Sequence, residues 1–285
     1  MNKATLAEHP FRFAGQRDYR YLYLVNSRRL HGLSLGINLN PNNACNWHCV
    51  YCDIPGLTRG AAPAADLNLL QAELDDLLAL AATGRLPERF PPITSGVLQS
   101  ITIAGNGEPT SAPNFTDAIG VIIAAASRHG LLQHVKLSLI SNGSQIYKPQ
   151  VQAGLKVWHE RDGEIWFKID SVTPEGIQRI NQVNLTANAL RKHLKLCGNL
   201  CRTRIQTCMF AYAGQPPSET EQQAYLDFLA AAETRAIPLA GILLYGAARP
   251  SRQAQASLVT PLPLSWLQAY AERIRALGYT VEVYA

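Results

Sequence analysis

Residues 34–52 read SLGINLNPNNACNWHCVYC. The first seven residues are apolar in alternation, the pattern of a short strand, and Pro41 ends it. Three cysteines then follow within eight residues, Cys45, Cys49 and Cys52, in the spacing C-x3-C-x2-C. That spacing lets three thiolates converge from one loop on a soft-metal centre, for which zinc, copper(I) and an iron–sulfur cluster are the candidates. Four protein ligands would close such a site; three leave one position open. A strand that delivers ligands at its C-terminal end follows the logic of α/β folds.

Outward from this stretch, the pattern alternates. Strands are expected at 98–104, 135–140, 164–169, 202–209, 239–245 and 280–284. Between them lie amphipathic stretches at 66–82, 115–128, 150–155, 174–180, 186–196, 218–232 and 264–277. Asp66 is the expected N-cap of the first helix and Gly84 its stop. Repeated strand–helix units call for parallel strands joined by right-handed crossovers. Six units are too few for an eight-unit barrel and enough for an open partial one. Residues 34–285 are read as one barrel domain, and 1–33 as a lead-in packed on it. In that lead-in Tyr19, Tyr21 and Tyr23 alternate near Arg17, Arg20, Arg28 and Arg29. They read as a segment covering one end of the barrel, with stacking on nucleic acid as the alternative. The polar stretch 246–263 reads as a loop over the site.

Composition bounds the function classes. At 47% hydrophobic and 16% charged residues over 285 positions the chain buries a core and is not disordered. The net charge of +5 suits an anionic partner without demanding one. Six clustered or scattered cysteines are not a secreted disulfide framework. Residues 1–20 carry charge throughout, unlike a signal peptide, and the longest apolar run, 118–126, is too short to span a bilayer. The expectation is a soluble, cytoplasmic protein with no membrane partner.

Further constellations fall at the ends of the expected strands. Residues 105–110 read GNGEPT, glycines that let backbone approach a ligand closely. This is not a dinucleotide fingerprint, because the third glycine is missing and Pro109 interrupts an early helix. Ser141 and Asn142 end the third strand, where small polar groups can bond a ribose or a carboxylate. Lys168 and Asp170, at i and i+2, share a strand face. They either close the barrel as an ion pair or meet a ligand. Cys197, Cys201 and Cys208 read as small packing residues, with an auxiliary cluster or a catalytic thiol as the alternative. His48 reads as a loop residue beside the metal centre, since a fourth ligand would close the open position. Arg249 is a candidate contact to substrate or cofactor.

The cysteine loop with GNGEPT resembles the signature of the radical S-adenosylmethionine (SAM) superfamily. The ordered set Ser27-Arg28-Arg29-Leu30, SLGINLNP, CNWHCVYC, GNGEPT, SNG, KID and Ala248-Arg249-Pro250-Ser251 resembles the iron–sulfur oxidoreductases related to tRNA wyosine-base synthases, over residues 26–284. The resemblance implies an α/β fold, a partial (β/α)6 TIM-like barrel of parallel strands. It implies a [4Fe–4S] cluster on Cys45, Cys49 and Cys52, with SAM on the open iron and Tyr51 as the aromatic residue before the third cysteine. Gly105, Asn106, Gly107, Glu108 and Pro109 match the motif whose backbone holds the SAM amino group. Ser141 and Asn142 match a turn at the cofactor, and Lys168 and Asp170 are implied at the SAM carboxylate, a ribose hydroxyl or the substrate. The implied chemistry is reductive cleavage of SAM to a 5′-deoxyadenosyl radical that abstracts hydrogen from a small molecule or an RNA base. An external electron donor of flavodoxin or ferredoxin type would supply the electron. The wyosine synthases carry further cysteines before the radical motif; this chain has none before Cys45, so wyosine synthesis is not carried over. A radical activating enzyme acting on a partner protein, and a zinc-binding module using the three cysteines and His48, are the alternative readings.

Overall fold

The computed structural model describes residues 19–285 apart from Arg28, His31, Pro91, Pro92, Thr94 and Arg235. Residues 1–18 of the expected lead-in, including Arg17, and Arg28 therefore lie outside the described residues. In chain order the elements are β1 (Leu22–Ser27), β2 (Gly32–Ile37), β3 (Ala44–Cys45), β4 (Thr58–Arg59), α1 (Leu67–Ala82), α2 (Leu86–Arg89), β5 (Leu98–Ile103), α3 (Phe115–Arg128), β6 (Lys136–Ser141), α4 (Pro149–His159), β7 (Glu164–Lys168), α5 (Pro174–Asn181), α6 (Ala187–Leu200), β8 (Arg202–Tyr212), α7 (Glu219–Thr234), β9 (Ile242–Gly246), β10 (Val259–Pro261), α8 (Leu264–Arg275) and β11 (Val281–Tyr284). Among the described residues the main sheet has nine strands, in the order β1-β2-β5-β6-β7-β8-β9-β11, with β10 on β8. From β2 to β11 every neighbouring pair is parallel, while β1 and β10 pair antiparallel. The sheet curls into a half-barrel with helices outside, the expected partial barrel.

Strand alternation divides this sheet into two surfaces. Leu35, Ile37, Ile101, Ile103, Leu139, Ile165, Phe167, Ile205, Ile242 and Leu244 join the helices in one core. The intervening positions Ser34, Thr102, Ile140, Trp166, Lys168, Gln206, Cys208 and Tyr245 line a cavity inside the barrel. Side chains on alternate residues of a strand face opposite ways, so one run of sequence supplies both. On the inner wall a ladder of hydroxyls crosses three strands. Ser100 donates to Ser34 at 2.8 Å, Ser34 meets Thr102 at 3.3 Å, and Thr102 meets Ser138 at 2.8 Å.

The helices start where local chemistry allows. The side chain of Asp66 caps α1 by accepting from the Leu69 amide at 3.1 Å, as its sequence position predicts. Thr173 and Thr186 cap α5 and α6 the same way. The strand expected at 34–40 runs from Gly32 to Ile37 and stops before Pro41, the strand expected at 239–245 is Ile242–Gly246, and three further expectations differ. Leu22–Ser27 is a strand and was not predicted as one, because its polar and basic surroundings hide a short edge strand. The helix expected at 150–155 runs through Pro149–His159, since Val151, Leu155 and the fully buried Trp158 keep a helical stripe in the core. The loop 246–263 contains β10, which extends β8 beyond its expected end.

The first described residues are tied to α1. Tyr19 and Tyr21 are buried, so neither offers a ring to an external nucleic acid. Tyr19 donates to Asp76 at 2.6 Å, and the Asp66 amide donates to the Tyr21 hydroxyl at 2.9 Å. Buried Glu73 accepts from the Arg20 and Tyr21 amides at 2.7 and 2.9 Å. No helix among the described residues is long and apolar enough to cross a membrane.

Glu73 therefore holds the edge strand. Glu73→Ala leaves two amides without an acceptor, which costs about 2–3 kcal/mol, or a melting temperature lower by roughly 5 °C in a chain of this size. Glu73→Gln keeps an acceptor and is expected to lose less. A Glu73→Ala protein that melts with the wild type would show that β1 is held by other means.

Candidate active site

The cysteine loop leaves β2 and is zipped to the loop after β5 by carboxamides. Asn38 Oδ1 accepts from the amides of Asn40 and Asn106, both at 3.0 Å. Asn40 donates to the Ala44 carbonyl at 2.9 Å, and Asn106 donates to Asn43 Oδ1 at 2.6 Å. The two loops lie so close that a Cβ on Gly105 would sit 2.3 Å from Asn38 Oδ1, and one on Gly107 would sit 2.1 Å from the Ala44 carbonyl. These glycines are required by the approach of one backbone to another. Beyond Cys52 the chain returns to the start of the loop, where β4 pairs parallel with β3. The His48 and Val50 amides donate to the Asn181 and Ile180 carbonyls at 3.1 and 2.8 Å, which docks the loop on the end of α5.

Cys45, Cys49 and Cys52 line one cavity of ≈ 370 Å³. Their thiols receive hydrogen bonds. The Trp47 amide reaches Cys45 Sγ at 3.4 Å, and Asn181 Nδ2 reaches Cys49 Sγ at 3.2 Å. Burial pushes the Cys45 and Cys52 thiols up to about 12, and raises Cys49 as well. His48 is turned into its own loop, with Nε2 3.2 Å from the Leu57 carbonyl. Among the described residues no group of three or more His, Cys, Asp or Glu is placed to hold a single metal ion.

A second layer of contacts carries this loop into the barrel. Tyr51 donates to Asp170 Oδ2 at 2.6 Å. Asp170 also accepts from Asn181 Nδ2 at 2.8 Å and from the Cys208 amide at 3.0 Å, and it pairs with Lys168 at 3.6 Å. Lys168 donates to the Tyr245 hydroxyl at 2.9 Å and lies 5.0 Å from the Tyr51 ring centroid. Burial works against its ammonium, but the adjacent Asp170 outweighs this and holds the lysine above its ordinary range, hence charged. Lys168 and Asp170 thus point together, as their spacing predicts, and the structure places them as an ion pair.

Glu108 is buried beside the cavity and its oxygens are engaged within the protein. They accept from the Thr110 amide at 3.1 Å, from the Thr110 hydroxyl, from Ser141 Oγ at 2.8 Å and from the Asn142 amide at 2.7 Å. Burial raises its pKa and these hydrogen bonds pull against that. The carboxylate therefore joins the loop after β5 to the end of β6, and its backbone amide lies against Cys45 Sγ. Asn142 donates to Asn46 Oδ1 at 2.9 Å, so the Ser141–Asn142 turn also touches the cysteine loop. Gly105, Asn106, Gly107, Glu108, Ser141 and Asn142 all line the cavity; Pro109 is buried in a turn of 3₁₀ helix behind it.

Solved structures share this architecture. A radical SAM methyltransferase from Sphaerobacter thermophilus superposes with a TM-score of 0.58 at 14% identity, over 93% of this chain and 69% of its own. TYW1 with a lysine–pyruvate adduct bound gives 0.57 at 10% identity, over 90% and 84%. SuiB from Streptococcus suis bound to S-adenosylmethionine gives 0.57 at 13% identity, over 88% and 50%. The fold is that of the radical SAM superfamily. In sequence the chain is 30% identical over 159 residues to a UPF0026 protein of Helicobacter pylori, covering 55% of this chain and 44% of that protein. It is 27% identical over 216 residues to a UPF0026 protein of Synechocystis sp., covering 72% and 68%. The chain thus spans less than half the length of the Helicobacter relative. No family model matches.

On this radical SAM fold the remaining cysteines do not gather. Cys208 lines the cavity, whereas Cys197 and Cys201 are buried in the outer core at the end of α6, where Cys201 donates to the Gly163 carbonyl at 3.1 Å. Arg249 pairs with Asp53 at 2.9 Å beside the cysteine loop. Several supports were not anticipated, since an isolated carboxamide carries no motif. Asn181 bridges Cys49 and Asp170. In the loop after β9, Gln253 Nε2 donates to the Cys52 and Ile54 carbonyls at 3.0 and 2.8 Å, and Ser251 Oγ donates to the Val50 carbonyl at 2.6 Å.

Gln253→Leu removes both donors from the cysteine loop. Amide hydrogen exchange at residues 50–54 is expected to speed up about tenfold, the equivalent of one lost hydrogen bond to a buried carbonyl, while β5 and β6 are unchanged. Unaltered exchange in the loop would mean that the other contacts suffice.

Proposed function

We propose that this chain is a radical SAM enzyme whose cluster is held by Cys45, Cys49 and Cys52. The observation that carries the reading is three thiols on one cavity wall at the C-terminal mouth of a radical SAM barrel, with no fourth cysteine at the cavity except Cys208, deeper on β8. The donor set fits. A four-iron cluster meets its thiolates at separate corners and needs no convergence on one point, and hydrogen bonds to sulfur tune its potential. The Trp47 amide and Asn181 are in place for that. The zinc alternative loses its fourth ligand, because His48 is engaged with Leu57.

When bound, the cluster and SAM supply an organic radical that removes hydrogen from an unreactive C–H bond. The protein's part is to bind, orient and exclude water. The backbone of Gly105–Glu108 packs against the cysteine loop on one side and borders the cavity on the other, where its carbonyls can accept from a ligand amino group. Ser141, Asn142 and Tyr51 border the same space. The Lys168 ammonium faces a ligand carboxylate, with Asp170 holding the lysine rather than touching the ligand. Ser251, Gln253 and Arg249 clamp the cysteine loop from the far side. The electron comes from an external donor of flavodoxin or ferredoxin type, and the substrate is a small molecule or an RNA base.

The test is anaerobic reconstitution with iron and sulfide. About four iron and four sulfide per chain are expected, and on reduction with added SAM, 5′-deoxyadenosine from the wild type and none from Cys49→Ala. Zinc in place of iron, or a full cluster in both proteins with no SAM binding, would sink the reading.

A further inference from the structure

The inner wall of the barrel carries a polar atom with nothing to bond. Gln206 lies on β8, is 1% exposed and lines the cavity, and its Oε1 has no hydrogen-bond partner. Its register neighbours do not help. Lys168 on β7 is directed to Tyr245 and Asp170, and Leu243 on β9 has no polar group. A buried acceptor left alone costs about 1–3 kcal/mol, recoverable by a donor. The carboxamide turns about its last bond, a soft torsion, so its oxygen can meet a donor placed in the cavity.

The surroundings give that donor a chemical setting. At the depth of Gln206 the charged side chains on the cavity wall are cations. Lys168 is one. Arg29 is the other, with its guanidinium 5.2 Å from the Trp166 ring and 5.0 Å from the Tyr245 ring. The lining carboxylates are nearer the cysteine loop and engaged, Glu108 by Thr110 and Ser141 and Asp53 by Arg249. Across the barrel lie the hydroxyls of Ser34 and Thr102. Positive charge, flat rings, hydroxyls and one idle carbonyl oxygen suit a small, polar, negatively charged molecule better than a hydrocarbon.

We propose that Gln206 accepts an N–H of the substrate, and that the substrate is an anionic small molecule carrying an amide-type N–H. This rests on the reading of the cavity mouth as the SAM site, which leaves the deeper end for substrate.

The probes are N-acetylglycine and N-acetylsarcosine, which share a carboxylate and an acetyl group and differ in a single N–H. Each is titrated calorimetrically into cluster-loaded protein with SAM, and into the protein as isolated. N-acetylglycine is expected to bind wild type about 5- to 100-fold more tightly, and Gln206→Leu is expected to erase that gap. Gln206→Leu is also expected to melt a few degrees higher without probe, having shed an idle buried acceptor. Equal binding of the two probes to wild type, no binding of either, or a gap that survives in Gln206→Leu overturns the proposal. Loss of SAM binding in Gln206→Leu also overturns it, by assigning the carboxamide to SAM. Should the variant not fold, the wild-type preference alone decides. Failure of the SAM reading shows separately, as absent iron and sulfide or absent SAM binding, and the titration of the protein as isolated then still reports on Gln206.

Discussion

One buried carboxylate joins the cysteine loop to the barrel. Asp170 sits just past the end of β7 with its side chain out of water. Left alone there, an ionised carboxyl would be prohibitively costly. It is instead surrounded by the Tyr51 hydroxyl, the Asn181 amide group, the Cys208 backbone amide and the Lys168 ammonium. These four partners come from the cysteine loop, the end of α5, β8 and β7. Each donor needs the acceptor as much as the acceptor needs the donors, so the elements cannot move apart singly without stranding a buried polar group. Asn181 then passes the constraint to Cys49 Sγ. The position of the central cysteine is thus set from within the barrel, and the loop's own sequence is only part of the cause.

Glu108 does similar service on the other side. A carboxylate on the wall of the cavity invites a direct ligand role, yet its oxygens serve Thr110, Ser141 and Asn142. The consequence is indirect. By holding the loop after β5 against the end of β6, Glu108 fixes the Gly105–Gly107 backbone where the cysteine loop passes at near contact. Two buried carboxylates therefore brace the two halves of the cavity mouth, one through β7 and β8 and one through β5 and β6.

This explains what could be read in the sequence and what could not. Strand and helix alternation is local, so the barrel was legible from β2 to β11. The triple-cysteine spacing and GNGEPT are also local, and the three cysteines and Gly105–Glu108 line the cavity. Leu22–Ser27 escaped notice because an edge strand of six residues beside arginines has too little pattern to stand out. Asn38, Asn181 and Gln253 escaped for a different reason. Each acts across a large sequence separation, and Asn and Gln side chains are common enough that no spacing marks them. The chemistry of the long loop was legible only as polarity, whereas its Ser251 and Gln253 bonds to the cysteine loop are a product of the tertiary fold.

The strand period links the site to stability in a stricter way. On β8, Ile205 joins the outer core and the Thr207 hydroxyl donates to the Ile169 carbonyl, also meeting the Tyr225 hydroxyl of α7, whereas Gln206 and Cys208 face the cavity. A slip of one residue would bury a carboxamide under apolar helices and turn Ile205 into the cavity. The same holds on β7, where Trp166 and Lys168 alternate with Ile165 and Phe167. Burial of the outer residues therefore sets the register, and the register delivers the inner residues to their places. The polar interior needs no separate force to hold it in line: the hydrophobic core positions the chemistry of the cavity, and a mutation in that core would be felt at the cavity wall before the fold is lost.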